Sequence, residues 1–126
     1  MNTRFVTRTI HAYIDYPVAL SLVAVPFVLG LGASNPLALW LSVATGVAAF
    51  VLTLLTDHET GVFRVLPYWF HLAVDRLVGA TFVVAPIALG FTGLDLAYYL
   101  VNAATVLTVT FLLNAPEQIA PRAVAA

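Results

Sequence analysis

The chain has 126 residues, of which 62% are hydrophobic and 9% charged, with a formal net charge of −1, no cysteine and a mean hydropathy of +1.00. A soluble domain carries about 25% charged residues and under half apolar ones, so a water-soluble core wrapped in a polar shell is excluded and the lipid bilayer is the solvent that fits. The lack of cysteine excludes disulfides and thiolate metal sites, and five arginines against six acids leave no basic surface for nucleic acid.

Four apolar runs follow in order, at residues 16–31, 37–55, 77–91 and 96–113. Each approaches the roughly 20 residues that cross a hydrocarbon core of about 30 Å. Lipid tolerates no unpaired backbone, so the runs are predicted to be helices, and the alternation a transmembrane barrel requires is absent. Gly32, Ala33, Ser34, Asn35 and Pro36 make a tight turn between the first two runs, with Pro opening the next helix. Thr92, Gly93, Leu94 and Asp95 make the equivalent turn between the last two. Two arginines ahead of an apolar run that ends in Leu31-Gly32-Ala33 could pass for a signal peptide. The same segment recurs inside the chain at residues 71–93, so it is read as structural. The tail from Pro116 is short, Ala-rich and expected to fray.

That recurrence organises the whole chain. A shift of 60 residues carries Arg4, His11, Asp15, Pro26, Gly30 and Thr45 onto Arg64, His71, Asp75, Pro86, Gly90 and Thr105 without a gap. The expectation is a single integral membrane domain over residues 1–126, with one repeat at about 4–57 and a second at about 64–117. The fold class is all-α: a four-transmembrane-helix bundle built from two parallel tandem helical hairpins. Arg4, Arg8, Arg64, Arg76 and Arg122 all fall on the side of the termini and the central loop, and the hairpin tips carry none. The positive-inside rule puts that side in the cytoplasm, making this a multi-pass protein of the plasma or inner membrane with both termini cytoplasmic.

On the first helix of each hairpin, positions 11, 15, 19, 26 and 30, and again 71, 75, 79, 86 and 90, fall within an arc of about 100°. His, Asp, a small residue (Ala19 or Gly79), Pro and Gly form one stripe, expected to face protein because small residues let helices approach closely in lipid. Pro26 and Pro86, taken as mid-span, are predicted to kink their helices and free the carbonyls of Leu22 and Phe82. The second helices bring Ser42, Thr45 and Gly46, then Asn102, Thr105 and Thr108. Ser42 and Gly46 form a small-xxx-small pair, and Asn102 is expected to bond another helix or a trapped water.

Val25-Pro26-Phe27 with Leu29-Gly30, and Ala85-Pro86-Ile87 with Leu89-Gly90, resemble the motif of the SPW-repeat membrane proteins. Those are two-helix repeats whose first helix carries Ser-Pro-Trp before an apolar-Gly pair. Both the Ser and the Trp are replaced in both copies here. Asp15 and Asp75 would match the family's acidic position, Gly79 its Gly and Asn102 its Asn. The resemblance covers most of the chain and implies a four-helix membrane protein of undefined activity.

The candidate site lies at the face of the termini: His11, Asp15, His71 and Asp75, with His58 and Glu59 from the central loop and Arg4 and Arg64 in support. His and Asp four residues apart share a helix face and can bond each other. Four readings compete. Asp15 and Asp75 could cap the membrane helices, with Pro17 in the first turn of one. His11 and His71 could be axial ligands of a b-type haem. Histidines and carboxylates could bind one or two metal ions, although the spacing is not the Glu-x-x-His of the usual bundle sites. Last, the Asp pair could bind or relay protons or ions in a small transporter or channel. Pro17, replaced by Leu77 in the second copy, is expected to push His11 off the straight helix and so to weaken a symmetric haem pair. Tyr13, Tyr16, Phe63, Tyr68, Trp69 and Phe70 read as an interfacial aromatic belt, and residues 62–70 as lying partly in the membrane plane. No nucleophile motif, phosphate loop or zincin pattern is present, so an enzyme is not expected. The leading expectation is an accessory protein that packs laterally in the bilayer, as a homo-oligomer or with another membrane protein.

Overall fold

The hydroxyl oxygen of Thr7 accepts the Ile10 backbone N–H at 3.2 Å and starts the first helix, satisfying a donor that has no partner within the helix. From there α1 spans Arg8–Val28, α2 Leu37–Leu55, α3 Tyr68–Ala88 and α4 Gly93–Leu107, the last continuing as a π-helical stretch, Thr108–Leu113. The computed structural model describes residues 3–115. Arg122 and the tail from Pro116 lie outside them. Among the described residues there is no strand, only isolated bridges of Val6 with Asn114 and of Thr56 with Leu66. All four helical stretches, of 19 to 22 residues, are long and apolar enough to cross a membrane, about 28–33 Å at 1.5 Å per residue. The chain is an all-helical, multi-pass membrane bundle. α1 packs antiparallel on α2, and α3 on α4.

Two expectations fail for one reason: the helices begin well upstream of the apolar runs. Asp15 and Asp75 do not cap them. The caps are Thr7 and Pro67, and both aspartates lie about two turns inside. Nor does Pro17 divert the chain, since α1 runs unbroken through it and keeps His11 on the helix. Proline removes one backbone bond, but no water competes for the others in lipid, and cross-bundle bonds from His11 and Asp15 hold the first turns in line.

Pro26 and Pro86 are likewise not mid-span kinks. Each sits in the final turn of its helix, two residues before the last helical position. The Leu31 N–H donates to Pro26 O at 2.9 Å, and Phe91 N–H to Pro86 O at 2.8 Å, while Gly30 and Gly90 adopt left-handed φ of 63° and 68°. This is the Schellman stop, in which glycine at the left-handed position lets the chain fold back on the last free carbonyls. The carbonyl freed by Pro26 is used as well: the Ser42 hydroxyl donates to Leu22 O at 2.8 Å and accepts from the Tyr98 hydroxyl at 2.6 Å. A single serine thus links α1, α2 and α4.

The interior divides along the bundle. Near the tips Leu22, Leu31, Phe82, Phe91, Tyr98 and Tyr99 form the apolar core, with the Tyr99 hydroxyl donating to Ala38 O at 2.7 Å. Asp95, in the first turn of α4, accepts from Gly32 N–H, Ser34 N–H and the Ser34 hydroxyl at 2.6–3.0 Å and ties the two tips together. At the other end polar residues join the buried set: His11, Asp15, Thr56, His58 and His71 lie among Val6, Ala12, Leu52 and Tyr68. The outer surface is apolar, with Val28, Leu77, Ile87 and Val101 largely exposed.

Gly46 is the tightest contact within the first hairpin, where an added Cβ would lie 2.7 Å from Val23 Cγ2 and 2.8 Å from Ala19 O. Overpacking of this kind costs about 1–3 kcal/mol. Gly46→Ala should therefore lower the thermal unfolding midpoint in detergent, whereas Ala48→Leu, on the exposed face of the same helix, should leave it unchanged.

Candidate functional site

One turn separates His11 from Asp15 on α1, and His71 from Asp75 on α3, so each helix presents one imidazole and one carboxylate on the same face. The bundle turns these faces toward each other. His11 Nε2 lies 3.0 Å from Asp15 Oδ1 and 2.7 Å from Asp75 Oδ2, and His71 Nε2 lies 3.3 Å from both Asp15 Oδ2 and Asp75 Oδ2. The central loop adds His58, whose Nε2 is 3.1 Å from Asp15 Oδ2. Ligand-capable atoms of His11, Asp15, His71 and Asp75 all fall within 4.8 Å of one another. Three imidazoles thus point the same ring atom, Nε2, at two carboxylates.

Hydrogen bonding fixes one ring. The Thr56 hydroxyl lies 2.6 Å from Leu52 O and 2.6 Å from His71 Nδ1. α2 ends at Leu55, and the Thr56 N–H turns to Thr53 O, leaving Leu52 O to the hydroxyl proton. A threonine has one proton to give, so Thr56 accepts from His71 Nδ1–H. His71 Nε2 then faces two carboxylate oxygens with a lone pair, unless a proton or a cation sits there. His11 and His58 differ: their Nδ1 atoms are buried without a hydrogen-bond partner. Each of those rings engages the cluster through Nε2 alone, facing a carboxylate.

Several neighbours depart from their sequence-based roles. Tyr68 does not belong to the interfacial belt. It is buried, with its ring 5.8 Å from that of His11 and stacked on His71 at 6.5 Å, while Tyr13, Phe63, Trp69 and Phe70 are exposed as expected. Glu59 lies outside the cluster and pairs with Arg8 at 3.5 Å. Partial burial pushes its carboxyl up, but hydrogen bonds from its own backbone and Thr9, with Arg8 beside it, hold it below the usual range. Arg64, at a left-handed φ of 41°, donates to Gly61 O and Glu59 O and shapes the loop. Arg4 donates to Asn114 O. Among the described residues Asn102 bonds its own helix, its Nδ2 donating to Tyr98 O one turn back on α4. Neither Thr56 nor Tyr68 is a site residue by sequence, Tyr68 figuring there only in the aromatic belt. Their only signal is proximity to His58 and His71 in the chain.

The loop closes over the cluster: the Thr60 hydroxyl donates to Ala12 O at 2.8 Å and the Tyr16 hydroxyl to Thr60 O at 2.7 Å. On the opposite side a cavity of about 270 Å³, walled by all four helices, reaches His11, Asp15, His71 and Asp75. A bis-histidine haem needs a flat slot between its axial imidazoles. Here Asp75 Oδ2 lies within hydrogen-bonding reach of both His11 and His71, and the two rings meet edge-on with centroids 5.5 Å apart. The space is filled by a carboxylate, so the pair does not fit haem b. The donor set suits a single ion instead. A tetrahedral site with bonds of about 2.0–2.1 Å holds its ligands about 3.3–3.4 Å apart, close to the 3.3 Å that separates His71 Nε2 from either carboxylate, whereas His11 Nε2 and Asp75 Oδ2, at 2.7 Å, must part to admit an ion.

Comparison with protein-family models, curated proteins and solved structures found no match to this chain.

The Thr56 bridge carries its own test. Removing the hydroxyl strands a buried carbonyl and a buried imidazole N–H, at about 1–3 kcal/mol for an unsatisfied group. Thr56→Val should lower the unfolding midpoint in detergent clearly more than Thr45→Val, whose hydroxyl serves only Leu41 O within its own helix.

Proposed function

We propose that this membrane protein binds one divalent first-row transition metal ion between its two hairpins, with His11, Asp15, His71 and Asp75 as ligands and His58 beside them. The observation that carries the reading is the convergence of three Nε2 atoms on two buried carboxylates. Charge balance favours a dication. Isolated charge within a membrane is costly, and an M²⁺ ion with two carboxylates and three neutral imidazoles leaves none over. Protons serve less well, because only His71 has partners at both nitrogens, so a second imidazolium would bury an N–H without an acceptor.

Metal binding has a cost of the same kind. With Nε2 on the ion, the ring protons of His11 and His58 move to Nδ1, where each orphaned N–H costs about 1–3 kcal/mol. Coordination of an ion by two carboxylates and the imidazoles offsets that cost. Imidazole and carboxylate without thiolate suit Zn²⁺, Fe²⁺ or Mn²⁺. Thr56, bonded to the far nitrogen of His71, is the kind of outer partner that fixes a ligand ring. The four arginines near this end support a cytoplasmic location for the site. A purely lateral packing role would account for Ala19, Gly46 and Gly79, but it leaves the buried cluster without a purpose.

Titration of detergent-purified, chelator-stripped protein with Zn²⁺ and Mn²⁺ by calorimetry, with metal analysis after gel filtration, tests the proposal. One ion per chain is expected, with affinity lost in His71→Ala, reduced about 10–100-fold in Thr56→Val and unchanged in Glu59→Gln. A folded wild-type protein that retains no stoichiometric ion, or equal affinities in His71→Ala and Glu59→Gln, would overturn it.

A further inference from the structure

The cavity between the hairpins is open to the cluster at one end, and its largely apolar wall carries polar side chains of one consistent chemistry. The polar side chains that line it are Ser21, Thr45, Thr53, Asn102, Thr105 and Thr110. Every one of the five hydroxyls donates its proton to a carbonyl three or four residues back on its own helix: Ser21 to Val18 O, Thr45 to Leu41 O, Thr53 to Ala49 O, Thr105 to Val101 O and Thr110 to Val106 O, all at 2.7–2.8 Å. Asn102 turns its Nδ2 to Tyr98 O at 2.9 Å, which leaves Oδ1 as its acceptor. A hydroxyl whose proton is engaged offers only lone pairs. Among the described residues no Lys or Arg lines the cavity, and its ionisable residues are the two aspartates and two histidines of the cluster. The polar groups on this wall therefore accept more than they donate, which favours cations over anions.

Val18 and Thr105 on its wall are also exposed at the bundle surface, so the space opens on its flank. Toward the termini lie the buried His58 and Tyr68 and the loop pinned by Thr60 to Ala12 O. Toward the tips stand Phe82 and Tyr99, with ring centroids 4.5 Å apart, and the Tyr98–Ser42 hydrogen bond. A storage site needs no acceptor-lined chamber beneath it. A route for an ion does, because oxygen lone pairs replace hydration as the ion leaves the carboxylates, the principle by which pores select ions.

We infer that the cavity is a cation passage: the ion held by the cluster enters or leaves through the middle of the bundle, and the protein carries divalent cations across the bilayer. This rests on the metal-binding reading and extends it from holding an ion to moving one.

The experiment uses the full chain reconstituted in phosphatidylcholine vesicles that enclose a fluorescent indicator quenched by Mn²⁺, with Mn²⁺ added outside. Saturable quenching faster than in protein-free vesicles is expected, and it should be lost in His71→Ala. The Thr45→Val/Thr105→Val double variant and Asn102→Leu remove acceptors from the wall without touching the cluster. Each should slow entry by about tenfold, as when about 1.4 kcal/mol of stabilisation is lost at the barrier, while calorimetric Mn²⁺ affinity in detergent stays unchanged. Wild-type vesicles no faster than empty ones overturn the passage, and do so even if calorimetry shows a bound ion, in which case metal binding stands alone. Entry at the wild-type rate in both wall variants also overturns it, because the ion would then travel elsewhere.

Discussion

Two carboxylates, one from each hairpin, hold this bundle together at its polar end. Asp75 on α3 reaches across to His11 on α1, and Asp15 on α1 reaches His71 on α3 and His58 in the loop. In lipid the apolar effect gives helices no reason to associate, and van der Waals packing and polar contacts must do so. Within each hairpin small residues supply that packing: Gly46 lies against Ala19 and Leu22, and Gly79 against Leu107. Between hairpins a cavity occupies the middle. The cross-hairpin contacts are concentrated at the two ends, with the imidazole–carboxylate cluster at one and Asp95 with Ser34 and Gly32 at the other.

The two ends use carboxylates in opposite ways. Asp95 is surrounded by donors that cannot leave it, two backbone N–H groups and a hydroxyl, and it serves as a structural clasp. Asp15 and Asp75 face imidazoles, whose donors can be withdrawn by a shift of tautomer or replaced by an ion. Exchangeable partners, a fixed outer bond from Thr56 and an adjoining cavity separate a candidate site from an ordinary buried salt bridge.

Helix number, hairpin pairing and the inward stripe of His11, Asp15, Ala19 and Pro26 were all legible from apolar run length and helical periodicity. The gathering of the three histidines followed from their shared position along the membrane normal. Helix starts were misplaced because hydropathy marks where lipid-compatible sequence begins, whereas backbone bonding and the Thr7 cap set the start a further two turns upstream. The proline error has the same origin. Once α1 is known to begin at Arg8, Pro26 falls near its end, where Gly30 completes a stop signal that the Pro-x-x-x-Gly spacing already contained. Thr56 and Tyr68 stayed hidden for another reason: a hydroxyl and an aromatic ring at a membrane boundary are ordinary, and only tertiary structure shows which of them turn inward.

The long sequence separation between cluster partners has a consequence for biogenesis. His11 and Asp75 are 64 positions apart, and Ser34 and Asp95 are 61. The first hairpin leaves the ribosome and enters the bilayer while its aspartate still lacks the imidazoles of the loop and the second pair of helices. Until those arrive the nascent chain holds an ionisable group in a hostile medium. Completion of the cluster is thus the event that distinguishes a finished molecule from a half-made one.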